Sequence, residues 1–174
     1  MGVPHMGQER HATDLETFSW FFAAEYPQVV RLLAVVLHDG AVAEDLAQEA
    51  FVRLHRNSAM VSGYESPEAW VRRVALNRAF SWRRREGRRR HLEVAAWSPD
   101  DTSPGPSADR ESVLRAVRAL PPRDRALVAL YHLEDRPMAE VADVLGLSPG
   151  AAKVALHRAR QRLATLLSDS EVTP

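Results

Sequence analysis

The chain of 174 residues has no cysteine, which excludes disulfides and thiolate-held metal and fits any compartment. It has no glycine-rich phosphate loop, and its seven histidines are scattered without the paired spacing of a zinc site. Convergent nucleophiles and bases are missing too. A binding protein is therefore expected rather than an enzyme, with no cofactor and no metal. No segment alternates with period two for long enough to make a strand. The first residues carry acids and lack the apolar core of a secretory signal, and no stretch reads as long enough to cross a membrane. These absences imply a soluble, cytoplasmic, all-α protein with no membrane partner. Lysine is nearly absent as well: Lys153 stands alone among 23 basic residues, a usage that fits genome base composition better than chemistry.

With 45% hydrophobic residues, the chain can bury one moderate core or two small ones. Its formal net charge is +0, but the charges are segregated, and distribution matters more than the sum. Glu44, Asp45 and Glu49 make an acidic stretch without a base; neighbouring helical acids lacking histidine read as a solvated or docking face rather than a metal site. Arg72, Arg73, Arg78, Arg83, Arg84, Arg85, Arg88, Arg89 and Arg90 follow, opposed only by Glu86. So dense a run of like charge repels itself unless a polyanion is bound.

The punctuation predicts two small helical domains joined by a flexible linker: 14–92, a linker over 93–110 rich in proline, serine, glycine and aspartate, and 111–168. In the first, a helical pattern over Leu15 to Leu37 is interrupted by Pro27, where a break or a fresh start is expected. Asp39-Gly40 ends that element. The next helix, Val42 to His55, would bury Leu46, Ala47, Ala50, Phe51 and Leu54. After a loop, Ser66-Pro67-Glu68 starts a long helix in which Trp70, Val71, Val74, Ala75, Arg78 and Trp82 share a partly apolar face, with Arg72, Arg73, Arg84 and Arg85 around it. Arginine interleaved with tryptophan suits a nucleic acid whose bases can stack once unpaired; two core tryptophans are the plainer alternative.

The second domain offers helices at Glu111–Ala119, Pro122–Leu133, Met138–Leu145 and Pro149 to about Leu167. The last two read as a helix-turn-helix. Ala139, Val141, Ala142 and Leu145 supply the inner stripe of the first helix, Gly146 lets the chain reverse, and Leu147 fills the corner. Ser148-Pro149 starts the second helix, as a serine N-cap followed by proline at the first helical position does. Ala152, Leu156, Ala159 and Leu163 then face inward, leaving Lys153, His157, Arg158, Arg160 and Arg162 for the other faces. Such a unit fits a duplex major groove.

The order of AEDLAQEAF at 43–51, the arginine helix, a proline-rich linker, LPPRDR at 120–125 and VADVLGLSPGAAKVALHRAR at 141–160 resembles the extracytoplasmic-function sigma factors of bacterial RNA polymerase. The resemblance covers nearly the whole chain. It implies a protein that binds core polymerase, directs it to specific promoters and assists their opening. Asp45, Gln48, Glu49, Val52 and Arg53 would dock on the clamp helices of the largest subunit, and the flap of the second subunit would be a further contact. Tyr64, in the segment from Asn57, would engage the minus-10 element together with Arg73, Asn77, Arg78, Ser81, Trp82, Arg84 and Arg85. Ser148, Gly150, Ala151, Lys153, Val154, His157 and Arg158 would lie at the minus-35 element. An anti-sigma partner is an expectation of the family alone.

The chain also departs from the family pattern. Ala151, Val154 and Ala155 stand where polar residues are common, Ser81 where an aspartate is, and Leu76 where an arginine is. Weaker or differently specified minus-35 recognition is expected, through thymine methyl contacts. Two other readings compete: a polymerase-independent helix-turn-helix regulator, and a sigma-like adaptor or decoy. The first leaves the acidic face and the arginine helix without a role; the depleted recognition helix favours the second.

Overall fold

A computed structural model describes residues 6–57, 66–92 and 108–171, with side chains for 17–57, 66–87 and 111–168. Among these residues seven α-helices run in the order α1 (Met6–Leu37), α2 (Gly40–Arg56), α3 (Pro67–Leu92), α4 (Ala108–Ala119), α5 (Pro122–Val128), α6 (Met138–Leu145) and α7 (Pro149–Glu171). No strand occurs among the described residues. The expected linker and the loop holding Tyr64 lie largely or wholly outside them.

The helix boundaries follow local chemistry. His38, with φ +59°, closes α1; Asp39 then caps α2, its Oδ1 accepting from the Val42 amide at 3.0 Å. Ser66 Oγ accepts from the Ala69 amide at 3.2 Å and donates to Glu68 at 3.2 Å, which fixes the start of α3. At the corner of the helix-turn-helix, Gly146 is left-handed at φ +65°. The Leu147 amide reaches back to the Ala142 carbonyl at 2.8 Å and the Gly146 amide to Asp143 at 3.1 Å, a glycine-closed helix end.

Pro27 does not break α1, which runs through it. The proline is exposed, so the carbonyl it cannot satisfy one turn earlier can turn to solvent. Thr17–Leu37 also meets the length and hydropathy of a membrane span, with a mean hydropathy of 1.3, contrary to the expectation that no stretch would. Its inner face is a core face: Val29, Leu32, Leu33, Val36 and Leu37 are buried against the neighbouring helices. The expected Pro122–Leu133 helix is two pieces, α5 and a π-helical turn over Ala129–Leu133, closed by the Glu134 amide on the Ala129 carbonyl at 3.1 Å.

A single core joins the two halves. α1, α2 and α3 bury Phe51, Leu54, Ala75 and Leu76, continuous with Leu120 just after α4 and with Leu127, Leu130, Val141 and Leu156 from α5 to α7. α3 packs on α1 and α2 along one side and on α6 along another, so it is inward-facing over most of its circumference. That corrects the single apolar stripe read from its sequence. Arg72, expected among the surrounding arginines, is fully buried, in phase with Ala69, Ala75, Leu76 and Ala79. Trp70 and Trp82 are half-buried against the core. In α6 the inner residues are Val141, Ala142 and Val144, whereas Ala139 is exposed and Leu145 and Leu147 are half-buried.

Candidate nucleic-acid interface

α2 separates its residues sharply. Ala43, Leu46, Ala47, Ala50, Phe51 and Leu54 are buried, whereas Asp45, Gln48, Glu49, Val52 and Arg53 are all exposed. The five line one shallow depression with Arg56 and Arg78. Val52, 50% exposed, puts an apolar centre among charged neighbours, the pattern of a protein-docking patch.

Beside it runs a cleft of about 750 Å³ between α2 and α3, walled by Asp45, Glu49 and Arg53 on one side and by Trp70, Val74, Asn77, Arg78, Ser81, Trp82 and Arg85 on the other. Five of the eight expected minus-10 residues therefore share one cleft. Glu49 and Arg78 form an ion pair across it, which links the acidic face to the basic helix. Ser81 Oγ accepts from Arg84 Nη2 at 3.1 Å, and Arg84 and Arg85 project into solvent. Tyr64 falls outside the described residues. Leu76 is 1% exposed, so its departure from the family pattern belongs to the core.

Arg73 is engaged elsewhere. Its Nε and Nη2 donate to the Asp143 carbonyl at 3.0 and 2.6 Å, and Nη2 also pairs with the Asp143 carboxylate. Arg73 and Asn77 together flank the turn from Asp143 to Leu147.

α7 presents a separate face. Ser148 Oγ accepts from the Ala151 amide at 3.2 Å, so this side chain is used as the helix cap. Gly150, Ala151, Lys153, Val154, His157 and Arg158 are exposed at spacings that share one side of the helix. Ala152, Leu156 and Ala159 are buried beneath. Ala155 is half-buried, so the exposed loss of polar groups falls on Ala151 and Val154. Arg160 and Arg162 turn back onto the protein: Arg160 Nε donates to His132 Nε2 at 3.2 Å with its guanidinium over the Tyr131 ring, and Arg162 pairs with Asp124.

Sequence reasoning missed a charged seam between the halves. Arg72 Nε donates to Glu134 at 2.6 Å and Arg72 Nη1 to Glu25 at 2.7 Å, while Arg136 lies 3.0 Å from Glu140 and 3.4 Å from Glu134. Farther along, the buried Arg125 contacts the His38 ring, its Nη1 3.1 Å from Nδ1. Desolvation, then the charges of Arg125, Arg118 and Arg83, hold the His38 pKa down to about 4. Burial, then Arg83, lowers Arg125 to about 10. The spacing 69-72-75-79 in α3 carried a signal for Arg72; the acids that meet it are too remote in sequence to be inferred.

Residues 21–89 match the family model for sigma-70 region 2, and residues 110–163 match that for sigma-70 region 4. The chain is 30% identical over 164 residues to the RNA polymerase sigma factor CarQ of Myxococcus xanthus, covering 90% of this chain and 92% of CarQ. It is 37% identical over 127 residues to the ECF RNA polymerase sigma factor SigF of Caulobacter vibrioides, covering 70% and 68%. The sigma factor RpoE of Bartonella quintana, solved in complex with the anti-sigma factor NepR, has the same fold at a TM-score of 0.74 and 19% identity, with 88% of this chain and 98% of that one covered. Regions 2 and 4 in order, near-complete coverage by relatives and the shared fold place the chain in the extracytoplasmic-function branch of the sigma-70 family, binding factors rather than enzymes, which direct RNA polymerase to specific promoters for initiation.

Proposed function

We propose that α2 docks on the clamp helices of the largest polymerase subunit through Asp45, Gln48, Glu49, Val52 and Arg53. The observation that carries this is the convergence of all five on one exposed depression while the opposite side of α2 is wholly buried. α3, with the preceding residues that include Tyr64, takes the minus-10 element: the cleft beside Asn77, Arg78 and Trp82 offers cations and aromatic rings to an unpaired strand. A captured base offsets part of the unstacking cost, a few kcal/mol, so opening needs no ATP.

α7 enters the major groove at the minus-35 element. Lys153, His157 and Arg158 supply its polar contacts. Val154 and Ala151 favour thymine methyls, which gives a recognition code of its own and leaves the adaptor reading less support than an empty face would. The flap of the second subunit is a further contact of the second half. An anti-sigma factor is a third class of partner, because the fold-matched Bartonella protein was solved with one. The working compartment is the cytoplasm.

The test is core-polymerase binding by Asp45→Arg and Glu49→Arg. At least a tenfold loss of core affinity, as reversed charges at an interface produce, with minus-35 duplex binding unchanged, is expected. Unaltered core binding would overturn the docking assignment and favour a polymerase-independent regulator.

A further inference from the structure

The stretch of α1 from Thr17 to Leu37 carries only two charged residues, Glu25 and Arg31. Glu25 is drawn inward to the buried Arg72, at 2.7 Å, which leaves Arg31 as the one charge on the outer side of this stretch. The inner side has its partners. Val29, Leu32, Leu33, Val36 and Leu37 are buried, and Phe21, Phe22 and Tyr26 lie against the Phe51 ring of α2.

The outer side is apolar without being covered. Trp20 is 80% exposed, Ala23, Ala24 and Pro27 are exposed, and Ala34 and Val35 are half-buried. Only 28% of the span is buried, at a mean hydropathy of 1.3. A lone exposed apolar residue needs no explanation, but a contiguous apolar strip headed by a bare tryptophan marks an interaction surface.

Its spacing names the kind of partner. Thr17, Trp20, Ala24, Pro27, Arg31 and Ala34 follow one another at alternating intervals of three and four, the seam of a coiled coil. Such a narrow strip meets one other helix rather than a broad core. Laid antiparallel on a second copy, with the twofold axis between positions 25 and 26, the seam is complementary to itself. Trp20 of each copy then meets Arg31 of the other, Ala24 meets Pro27, and Thr17 meets Ala34. The single cation falls on the bare indole, a contact made twice per dimer, and the small pair sits in the middle where the two axes approach. A parallel pairing would instead set Arg31 against Arg31.

The area fits a reversible dimer. The 18 residues from 17 to 34 make a strip about 27 Å long, and each tryptophan alone offers about 200 Å². Pairing hides about 1,000 Å² in total, at the low end for a specific interface. A membrane surface would call for basic residues along the rim of the apolar face, where Arg31 stands alone.

We infer that the outer face of α1 is a self-association surface, on which two copies of the chain pair antiparallel with Trp20 of each stacked on Arg31 of the other. The strip shares no residue with the depression on α2 or the cleft beside α3, so self-association is independent of the polymerase and promoter roles proposed above.

Sedimentation equilibrium of the full chain from about 1 to about 200 µM, the range in which so small an interface associates, is the test. The weight-average mass should climb from the monomer's 19.5 kDa toward twice that value. Ala24→Glu, which brings two carboxylates together beside the twofold axis, should weaken association by about tenfold or more. Arg31→Glu should weaken it roughly 5- to 30-fold, because each dimer loses two cation–π contacts. Both positions are exposed, so neither variant disturbs the core.

Because the chain has no cysteine, single introduced cysteines report the register. A mixture of Thr17→Cys and Ala34→Cys proteins should be joined by a short bismaleimide, whereas either protein alone should not, since its two cysteines would lie about 25 Å apart along the pair. A mass fixed at the monomer value at every concentration would overturn self-association and leave the strip to a different protein. Association unmoved by both Ala24→Glu and Arg31→Glu would overturn it too, by placing the contact on another face. Cross-linking of each cysteine protein to itself, with none in the mixture, would overturn the antiparallel pairing.

Discussion

His38 offers a prediction whose sign and size follow from its surroundings. The ring accepts from the buried Arg125 guanidinium, with Arg118 and Arg83 also close enough to oppose a second positive charge. In the unfolded chain a histidine titrates near pH 6.5; here burial and the arginines hold the ring neutral down to about pH 4. The stabilisation is therefore complete above about pH 6.5 and is lost as pH falls from there toward 4. Full linkage would remove about 2 kcal/mol by pH 5, at about 1.36 kcal/mol for each pH step of one. His38 is only half-buried, and solvent screening reduces the expectation to about 1 kcal/mol. His38→Asn makes the comparison: asparagine tolerates the φ of +59°, keeps an oxygen acceptor and does not titrate. Urea unfolding of both proteins near pH 7.5 and near pH 5 should show the parent losing about 1 kcal/mol more than the variant. Equal losses would refute the reasoning, because they would mean that His38 titrates as it does in the unfolded chain.

Gly146→Ala should cost about 1–2 kcal/mol of stability through backbone strain alone, since no atom lies within 4 Å of the added Cβ at φ +65°; a much larger loss in denaturant unfolding would point to a clash instead. Leu156→Ala, which empties a site 3% exposed beneath the recognition face, should cost about 2–5 kcal/mol. The same denaturant series measures it, and a loss under about 1 kcal/mol would show that the helix-turn-helix core collapses around the gap. Lys153→Ala should weaken minus-35 duplex binding and reduce its log–log salt slope by about 1 if the ammonium contacts a phosphate; an unchanged slope with relaxed base preference would place the contact on a base edge.

Local signals in the sequence are sufficient for most of the fold. Ser66, Ser148 and Gly146 mark their helix ends with residue types whose hydrogen bonds or φ the ends require, and the α2 stripe from Leu46 to Leu54 has a single phase. α3 defeats such a reading because it is buried on more than one side: periodicity reports one inner face, and a helix packed on α1, α2 and α6 has several. Arg72 illustrates the consequence. Its type suggests solvent, its phase with Ala69 and Ala79 suggests the core, and only the tertiary placement of Glu25 and Glu134 makes the second tenable. Pro27 suggests a break, yet an exposed proline within a long helix whose other face is held by the core does not end it. On α7 the exposed side is legible residue by residue. That Arg160 and Arg162 turn back onto His132 and Asp124 is not, because those partners lie on other elements.

The most direct test of the whole assignment is transcription in vitro with core polymerase, with and without the protein, on a pool of genomic promoter fragments whose transcripts are sequenced. New start sites should emerge that share two upstream elements at fixed spacing, and Val154→Ala should change the preference at the upstream element alone. Polymerase binding without new start sites would contradict promoter reading by α3 and α7 and leave an adaptor in its place.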